Sequence, residues 1–366
     1  MTDLTLLQSG ATLAATASSH GCPAHITYLE SGVVGLIQGV TELFPVSSLG
    51  HNVLLPALVG GCWAHDLNVA AAESPYLAFI VGLHVATAIA LLIYFWKDWI
   101  RIIGGFFSSL GHFARPEPGT SRWQLRSVNE KLAWMIVLAT IPVGLVGLKF
   151  EHEFRVFFGK PIRAAIFLAV NGVILIAGEV FRRKASVRAD QEVLAERERE
   201  RETVAVGGPR RTGGARHAAG HQAVRAAELA DAVAADRRLA SRSYWQAIAI
   251  GSSQILALLA GISRDGVAMV AGMFRGLSRQ DAARFSFLLS TPVIFAAGFL
   301  KVGDLFGPLG NGIRGQVLVA SVLSGVGAYL SVRFLMKYFQ TRTLTPFAIY
   351  CLVVGLGSLI YLGVIK

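Results

Sequence analysis

The chain has 366 residues, 53% of them hydrophobic and only 16% charged, with a mean hydropathy of +0.53 and a formal net charge of +11. Soluble domains carry about 25% charged residues, so the composition excludes an ordinary soluble enzyme and indicates an all-α polytopic membrane protein. The positive excess does not point to nucleic acid, because the lysines and arginines flank apolar blocks instead of forming one basic face.

In chain order, residues 1–27 read as a polar lead-in without the basic start of a signal peptide. Apolar blocks at 76–96, 132–150, 161–181, 284–300, 315–335 and 344–364 each match the length that crosses a bilayer core of roughly 30 Å. Basic residues hold loops on the cytoplasmic side. Lys97, Arg101, Arg115, Arg122, Arg126 and Lys131 place loop 97–131 inside. Arg182, Arg183 and Lys184 place 182–243 inside, and Lys337 with Arg342 place 336–343 inside. The alternation puts 151–160 and both chain ends outside. Cys22 and Cys62 then share the outer face, where a disulfide can persist, although two free thiols are the expectation. Residues 185–242 hold charge runs and few large apolar side chains, so they are expected to form a dispensable cytoplasmic insert, disordered or loosely helical.

Two apolar stretches, about 28–59 and 244–276, are interrupted by small and polar residues. They share a spacing: Gly35-x-x-Gln38, Ser47 and Gly50 reappear as Gly251-x-x-Gln254, Ser263 and Gly266. Each copy precedes three long apolar blocks. The chain therefore divides into a first repeat at 28–184 and a second at 243–366, each a re-entrant helical hairpin plus three transmembrane helices. An odd number of crossings between the copies makes the repeats inverted in topology. Irregular backbone at membrane depth survives only when it is buried or lines a cavity. Inverted repeats of broken helices direct half-helix N-termini, which favour anions, toward the midplane.

The residues at these breaks suit phosphoryl transfer, where positioning and charge neutralisation dominate. Glu42 lies four residues after Gln38, on the same helical face. A carboxylate inside an apolar segment is a functional candidate by default. Ser47 and Ser48 stand at a helix restart, and His51 follows one turn later as acid, base or nucleophile. Arg264 offers a fork suited to phosphate oxygens, and Ser263 and Gly266 allow close backbone approach. Glu42, His51 and Arg264 are thus the catalytic candidates, with Gln38, Ser47, Ser48, Ser263 and Gly266 as phosphate contacts. A hard divalent cation, Mg²⁺ or Ca²⁺, bridging Glu42 to the phosphates completes the set, with Gln38 as its second candidate ligand. His84, in mid-span, has no partner by sequence.

These residues carry a resemblance. Gly35-Leu-Ile-Gln-Gly-Val-Thr-Glu42-Leu-Phe-Pro-Val-Ser-Ser-Leu-Gly-His51 is similar to the first motif of bacterial undecaprenyl-diphosphate phosphatases of the BacA/UppP type. Ala260-Gly-Ile-Ser-Arg-Asp-Gly266 resembles their Pro-Gly-x-Ser-Arg-Ser-Gly loop. Ala283-Arg-Phe-Ser-Phe-Leu-Leu-Ser290 and Pro346-Phe-Ala-Ile-Tyr350 also resemble that family. The resemblance implies six spanning helices with two re-entrant hairpins in the bacterial cytoplasmic membrane. It implies removal of the terminal phosphate from undecaprenyl diphosphate at an outward-facing site, a divalent-cation requirement and bacitracin resistance. A second copy of the chain is the partner expected besides lipid. The rival is a polyprenyl-phosphate carrier without phosphatase activity, since inverted repeats also build transporters. Two departures stand out: Ala260 replaces a proline, and Asp265 puts a carboxylate beside Arg264. Asp265 is expected to face away from the site and cap backbone amides near Gly266.

Overall fold

In a computed structural model of the chain, residues 26–67, 75–115, 121, 125–203, 232–307 and 310–365 are described. Among them every regular element is helical. The first repeat stretch contains α1 (Tyr28–Thr41), α2 (Ser48–Val59), the short α3 (Gly61–Asp66), α4 (Pro75–Tyr94), α5 (Trp96–Ala114), α6 (Val128–Phe158) and α7 (Pro161–Thr203). After a helix α8 at 232–240 come α9 (Tyr244–Ser253), α10 (Arg264–Phe274), α11 (Arg279–Phe306), α12 (Arg314–Tyr338) and α13 (Thr345–Ile360).

Five expected spans fall inside single helices: Val128–Phe150, Pro161–Ala185, Arg279–Leu300, Arg314–Tyr338 and Thr345–Val364 are long and apolar enough to cross a membrane. The sixth, expected at 76–96, ends differently. Its helix α4 turns through 86° into α5, so the expected loop at 97–131 begins as a helix. The turn falls where the sequence changes character. Phe95 is buried, while Lys97, Asp98 and Arg101 follow within two turns and cannot continue into an apolar layer. α5 instead runs amphipathic: Ile102, Gly105 and Ser109 are buried, while Trp96, Ile100, Ile103 and Phe107 are exposed. That pattern suits a helix lying in the bilayer interface.

The packing exchanges elements between the two stretches. α1 lies against α12 and α9 lies against α6, while α4 pairs with α11 and α7 with α13. Glycine sets the first two contacts. A Cβ on Gly35 would stand 2.5 Å from the Ala320 carbonyl oxygen, and one on Gly251 would collide with the Ala139 backbone. Small residues of this kind let membrane helices approach backbone to backbone. The starts of α1 and α9 also match. Thr27 caps α1 reciprocally with Glu30, and Ser243 caps α9 reciprocally with Gln246.

The insert is helical at both its ends, and the expectation for Cys62 needs correction. α7 continues to Thr203, and 232–240 forms α8, so these parts of 185–242 are ordered; 204–231 lie outside the described residues. α8 is docked by charge. Asp236 pairs with Arg101 at 2.9 Å and Arg284 at 2.7 Å, and Asp98 pairs with the same two arginines at 2.5 and 2.9 Å. Arg238 holds Asp281 through two bonds of 2.8 Å. Asp236 and Arg284 are 3% and 5% exposed, so water does little to screen the ring. Removing one partner from a buried network costs about 3–5 kcal/mol. Asp236→Ala is therefore expected to lower the unfolding midpoint of the purified protein, and a midpoint equal to wild type would show the ring is idle. Deleting 188–238 removes Asp236 and Arg238 together, so that deletion is expected to lower the unfolding midpoint as well. Cys62 is disulfide-bonded instead of free, and Cys351 is a buried free thiol. Cys22 and residues 1–25 lie outside the described residues.

Candidate functional site

The site forms where the two broken stretches touch. α1 ends at Glu42, and the chain turns through Pro45 before Ser47 starts α2. Ser47 has φ +68°, the one positive value for a non-glycine among the described residues. Such a conformation costs on the order of 1–3 kcal/mol and persists only when its surroundings enforce it. Here the Ser47 hydroxyl accepts from Gly50 N at 3.2 Å, and Ser263 does the same for Gly266 N at 3.1 Å at the start of α10. Gly261, at φ +113°, makes the turn before α10. The two N-termini are in contact, since a Cβ on Gly50 would stand 2.9 Å from the Gly261 Cα.

Glu42 is the hub. Its Oε1 accepts from Arg264 Nη2 at 2.5 Å, and its Oε2 accepts from Ser48 Oγ at 2.5 Å and Gln38 Nε2 at 2.7 Å. The acid thus comes from one stretch and the cation from the other. Gln38 is fixed in turn by Asn52, whose Nδ2 donates to Gln38 Oε1 at 2.7 Å. The expected Gln38–Glu42 face is therefore present, and Ser48 and Arg264 join it. At the offsets that map Gln38 onto Gln254, Leu258 stands for Glu42 and Val267 for His51. At those two positions the second stretch carries neither acid nor imidazole, which makes the site asymmetric.

His51 sits apart from this hub. Its Nδ1 lies 2.7 Å from Ser47 O and its Nε2 2.8 Å from the Tyr350 hydroxyl. Asp265 does face away from the hub, but it does not cap the amides near Gly266, because Ser263 does that. Its Oδ1 accepts from Ser286 and Ser290 of α11, both at 2.6 Å. The extra carboxylate is thus anchored to a neighbouring helix. Asp265→Ser is expected to change KM by less than about threefold, well under 1.4 kcal/mol. A tenfold shift at fixed cation concentration would place Asp265 on substrate or cation.

Besides Asn52, three side chains enter that sequence reasoning did not assign. His84 Nε2 lies 3.4 Å from Glu42 Oε2, and its Nδ1 lies 2.9 Å from Ile80 O. Asn171, fully buried within α7, spans both breaks: its Nδ2 donates to Pro45 O at 2.9 Å and its Oδ1 accepts from Ser263 N at 3.0 Å. Tyr350 holds His51. Each carried a signal, since His84 and Asn171 are polar residues inside apolar blocks and Tyr350 closes a motif already singled out.

Of several buried donors without a partner among the described residues, one lies beside the Ser47 and Ser263 caps. Arg264 Nε is buried and has no hydrogen-bond partner among the described residues. A guanidinium used on one edge, beside two serine-capped helix N-termini, is prepared for an oxyanion. Fold and site together define a multi-pass membrane protein with a buried polar centre, built from two broken helices, whose donors suit an anion. The chain belongs to the family of the bacitracin resistance protein BacA, whose sequence pattern matches residues 31–208 and 216–357. An undecaprenyl-diphosphatase of Mycolicibacterium paratuberculosis is 55% identical over 340 residues, which cover 93% of this chain and 99% of that relative. An undecaprenyl-diphosphatase of Mycobacterium avium is 54% identical over the same shares. An undecaprenyl-diphosphatase 2 of Frankia alni is 51% identical over 90% of this chain and 96% of its own.

Proposed function

We propose that this protein hydrolyses undecaprenyl diphosphate to undecaprenyl phosphate and inorganic phosphate in the bacterial inner membrane. The observation that carries this reading is the half-used guanidinium of Arg264, buried with a bare Nε beside the N-termini of α2 and α10. A diphosphate oxygen on Nε satisfies that donor, and further oxygens meet Ser47, Ser48, Ser263 and the Gly266 amide. Relatives above 50% identity that carry the diphosphatase name over nearly their whole length support the same substrate.

Glu42, His51 and Arg264 are the catalytic residues of this reading. Arg264 neutralises charge on the phosphates. Glu42 orients Arg264 and Ser48, both of which it touches. His51 exchanges protons. A divalent cation fits in one mode only. Among the described residues no three His, Cys, Asp or Glu side chains gather into a cage. Gln38 turns its NH2 to Glu42 and gives its carbonyl to Asn52, so of the two candidate ligands Glu42 is the one that would hold Mg²⁺ or Ca²⁺, with phosphate and water supplying the remaining oxygens, a mode that Mg²⁺ commonly adopts. When bound there, the cation supplies charge stabilisation to the phosphoryl group.

The exchanged packing of α1 on α12 and α9 on α6 supports inverted repeats as the source of the site. On that reading a cysteine at Thr27 is labelled from outside intact cells and one at Ser243 only from inside. Labelling of both from one side rules the inversion out. For the activity itself, the purified protein is expected to release inorganic phosphate from undecaprenyl diphosphate with Mg²⁺ or Ca²⁺ present. A carrier of polyprenyl phosphate moves the lipid and releases none, so absence of phosphate release would leave the carrier standing and remove the phosphatase.

A further inference from the structure

The imidazole of His51 has one nitrogen already committed. Its Nδ1 faces the Ser47 carbonyl oxygen at 2.7 Å, and a carbonyl only accepts, so Nδ1 carries the proton. In the neutral ring the lone pair is then on Nε2. That nitrogen meets the Tyr350 hydroxyl at 2.8 Å, which therefore donates to it. The two rings also stack, with centroids 5.7 Å apart and planes 10° apart. Ser47 O and Tyr350 Oη are the two hydrogen-bond partners of the ring among the described residues. Every proton that His51 exchanges must pass through Nε2, and Tyr350 stands on that route.

We propose that Tyr350 is a further catalytic residue, conducting the proton between His51 and the reacting phosphate. The proposal rests on the phosphatase reading above. A phenolic hydroxyl accepts one hydrogen bond while donating another, so it can pass a proton without net change to itself. A water oxygen forms its bond to the terminal phosphorus as the bond from that phosphorus to the bridging oxygen breaks. The bonding pair stays on the bridging oxygen, which leaves as part of undecaprenyl phosphate. The water proton goes to Tyr350 Oη, and the tyrosine proton goes to His51 Nε2. The resulting imidazolium is held by its Nδ1–H bond to Ser47 O, as a catalytic histidine is held by its orienting group. Reverse passage through Tyr350 returns the proton to a product phosphate and restores the neutral ring. The strained φ of Ser47 gains a reason, because that residue both caps α2 and presents the carbonyl that sets the tautomer.

The experiment compares wild type, Tyr350→Phe, His51→Ala and the double variant, purified and assayed on undecaprenyl diphosphate at saturating cation. Tyr350→Phe keeps the ring against His51 and removes only the hydroxyl. We expect kcat to fall roughly 10²-fold, the lower end of what proton transfer supplies. KM is expected to stay within about threefold and the unfolding midpoint to stay at the wild-type value. Because both residues serve one proton path, the double variant is expected to be no slower than His51→Ala alone. The relay is overturned by Tyr350→Phe with kcat near wild type, by multiplying losses in the double variant, or by a loss that accompanies a lowered unfolding midpoint. Wild-type protein that releases no phosphate would defeat the phosphatase reading instead, and is scored before the variants are compared.

Discussion

Glu42→Gln protein is expected to release phosphate from undecaprenyl diphosphate roughly 10³-fold more slowly than wild type, within the range that acid–base and charge terms span. The substitution keeps the volume of the side chain, so the helices around it have no steric reason to move, but it leaves one acceptor oxygen where Arg264 used Oε1 and Ser48 used Oε2. It removes the charge that would hold the proposed divalent cation and the ion pair with Arg264. The same change frees Arg264 for substrate phosphate, so KM is expected to stay level or fall while kcat collapses. Such a split identifies an interaction that matters in the transition state more than in the ground state. A raised KM with intact kcat would reassign Glu42 to uniform binding. Phosphate release and unfolding midpoint, measured on the same purified sample, separate both outcomes from misfolding.

Asn171→Leu is expected to lower kcat by roughly 10²-fold, although Asn171 touches no catalytic side chain. Displacement of reacting groups by about 1 Å is enough for such a loss. The Asn171 amide satisfies the Pro45 carbonyl on one break and the Ser263 amide on the other. Leucine leaves the Ser263 amide buried and unpaired, at about 1–3 kcal/mol, and leaves the Pro45 carbonyl only the weak Cys351 thiol donor at 3.8 Å. The unfolding midpoint is therefore expected to fall as well, with Ser47–Ser48 and Ser263–Arg264 losing their common reference. Asn171→Asp separates the two ends, since it keeps the acceptor for Ser263 N and sets an oxygen against Pro45 O. It is expected to fall between wild type and leucine in both measurements. An Asn171→Leu protein with wild-type kcat would show that the two breaks find their register without the amide.

The sequence alone determined what solvent this chain lives in and which residues its breaks bring to bear. Long apolar blocks and sparse charge leave only a membrane bundle, because burial at this scale and exposed backbone in lipid permit little else. The spacing of Gln38, Glu42, Ser47 and His51 was also legible. Residues four apart on a helix share a face whatever surrounds them, and the Gln38–Glu42 bond follows from that local geometry. The family motifs were equally local, because each is a continuous run of residues.

Only the tertiary structure decided which distant residues meet. Glu42 and Arg264 become partners because α1 docks on α12 and α9 on α6, contacts set by glycines against backbone on other helices. His84 acquires Glu42, and Asn171 acquires both breaks, through packing across α4 and α7 that no spacing in the chain encodes. Asp265 illustrates the limit in one residue. Its neighbours in sequence suggested a backbone cap, whereas two serines on α11 take its carboxylate. The turn at Phe95 and the docking of α8 belong with these. Charge patterning marks where an apolar helix must stop, but the direction taken afterwards depends on the partners waiting there, here Arg101, Asp98, Asp236 and Arg284 from three separate stretches of chain.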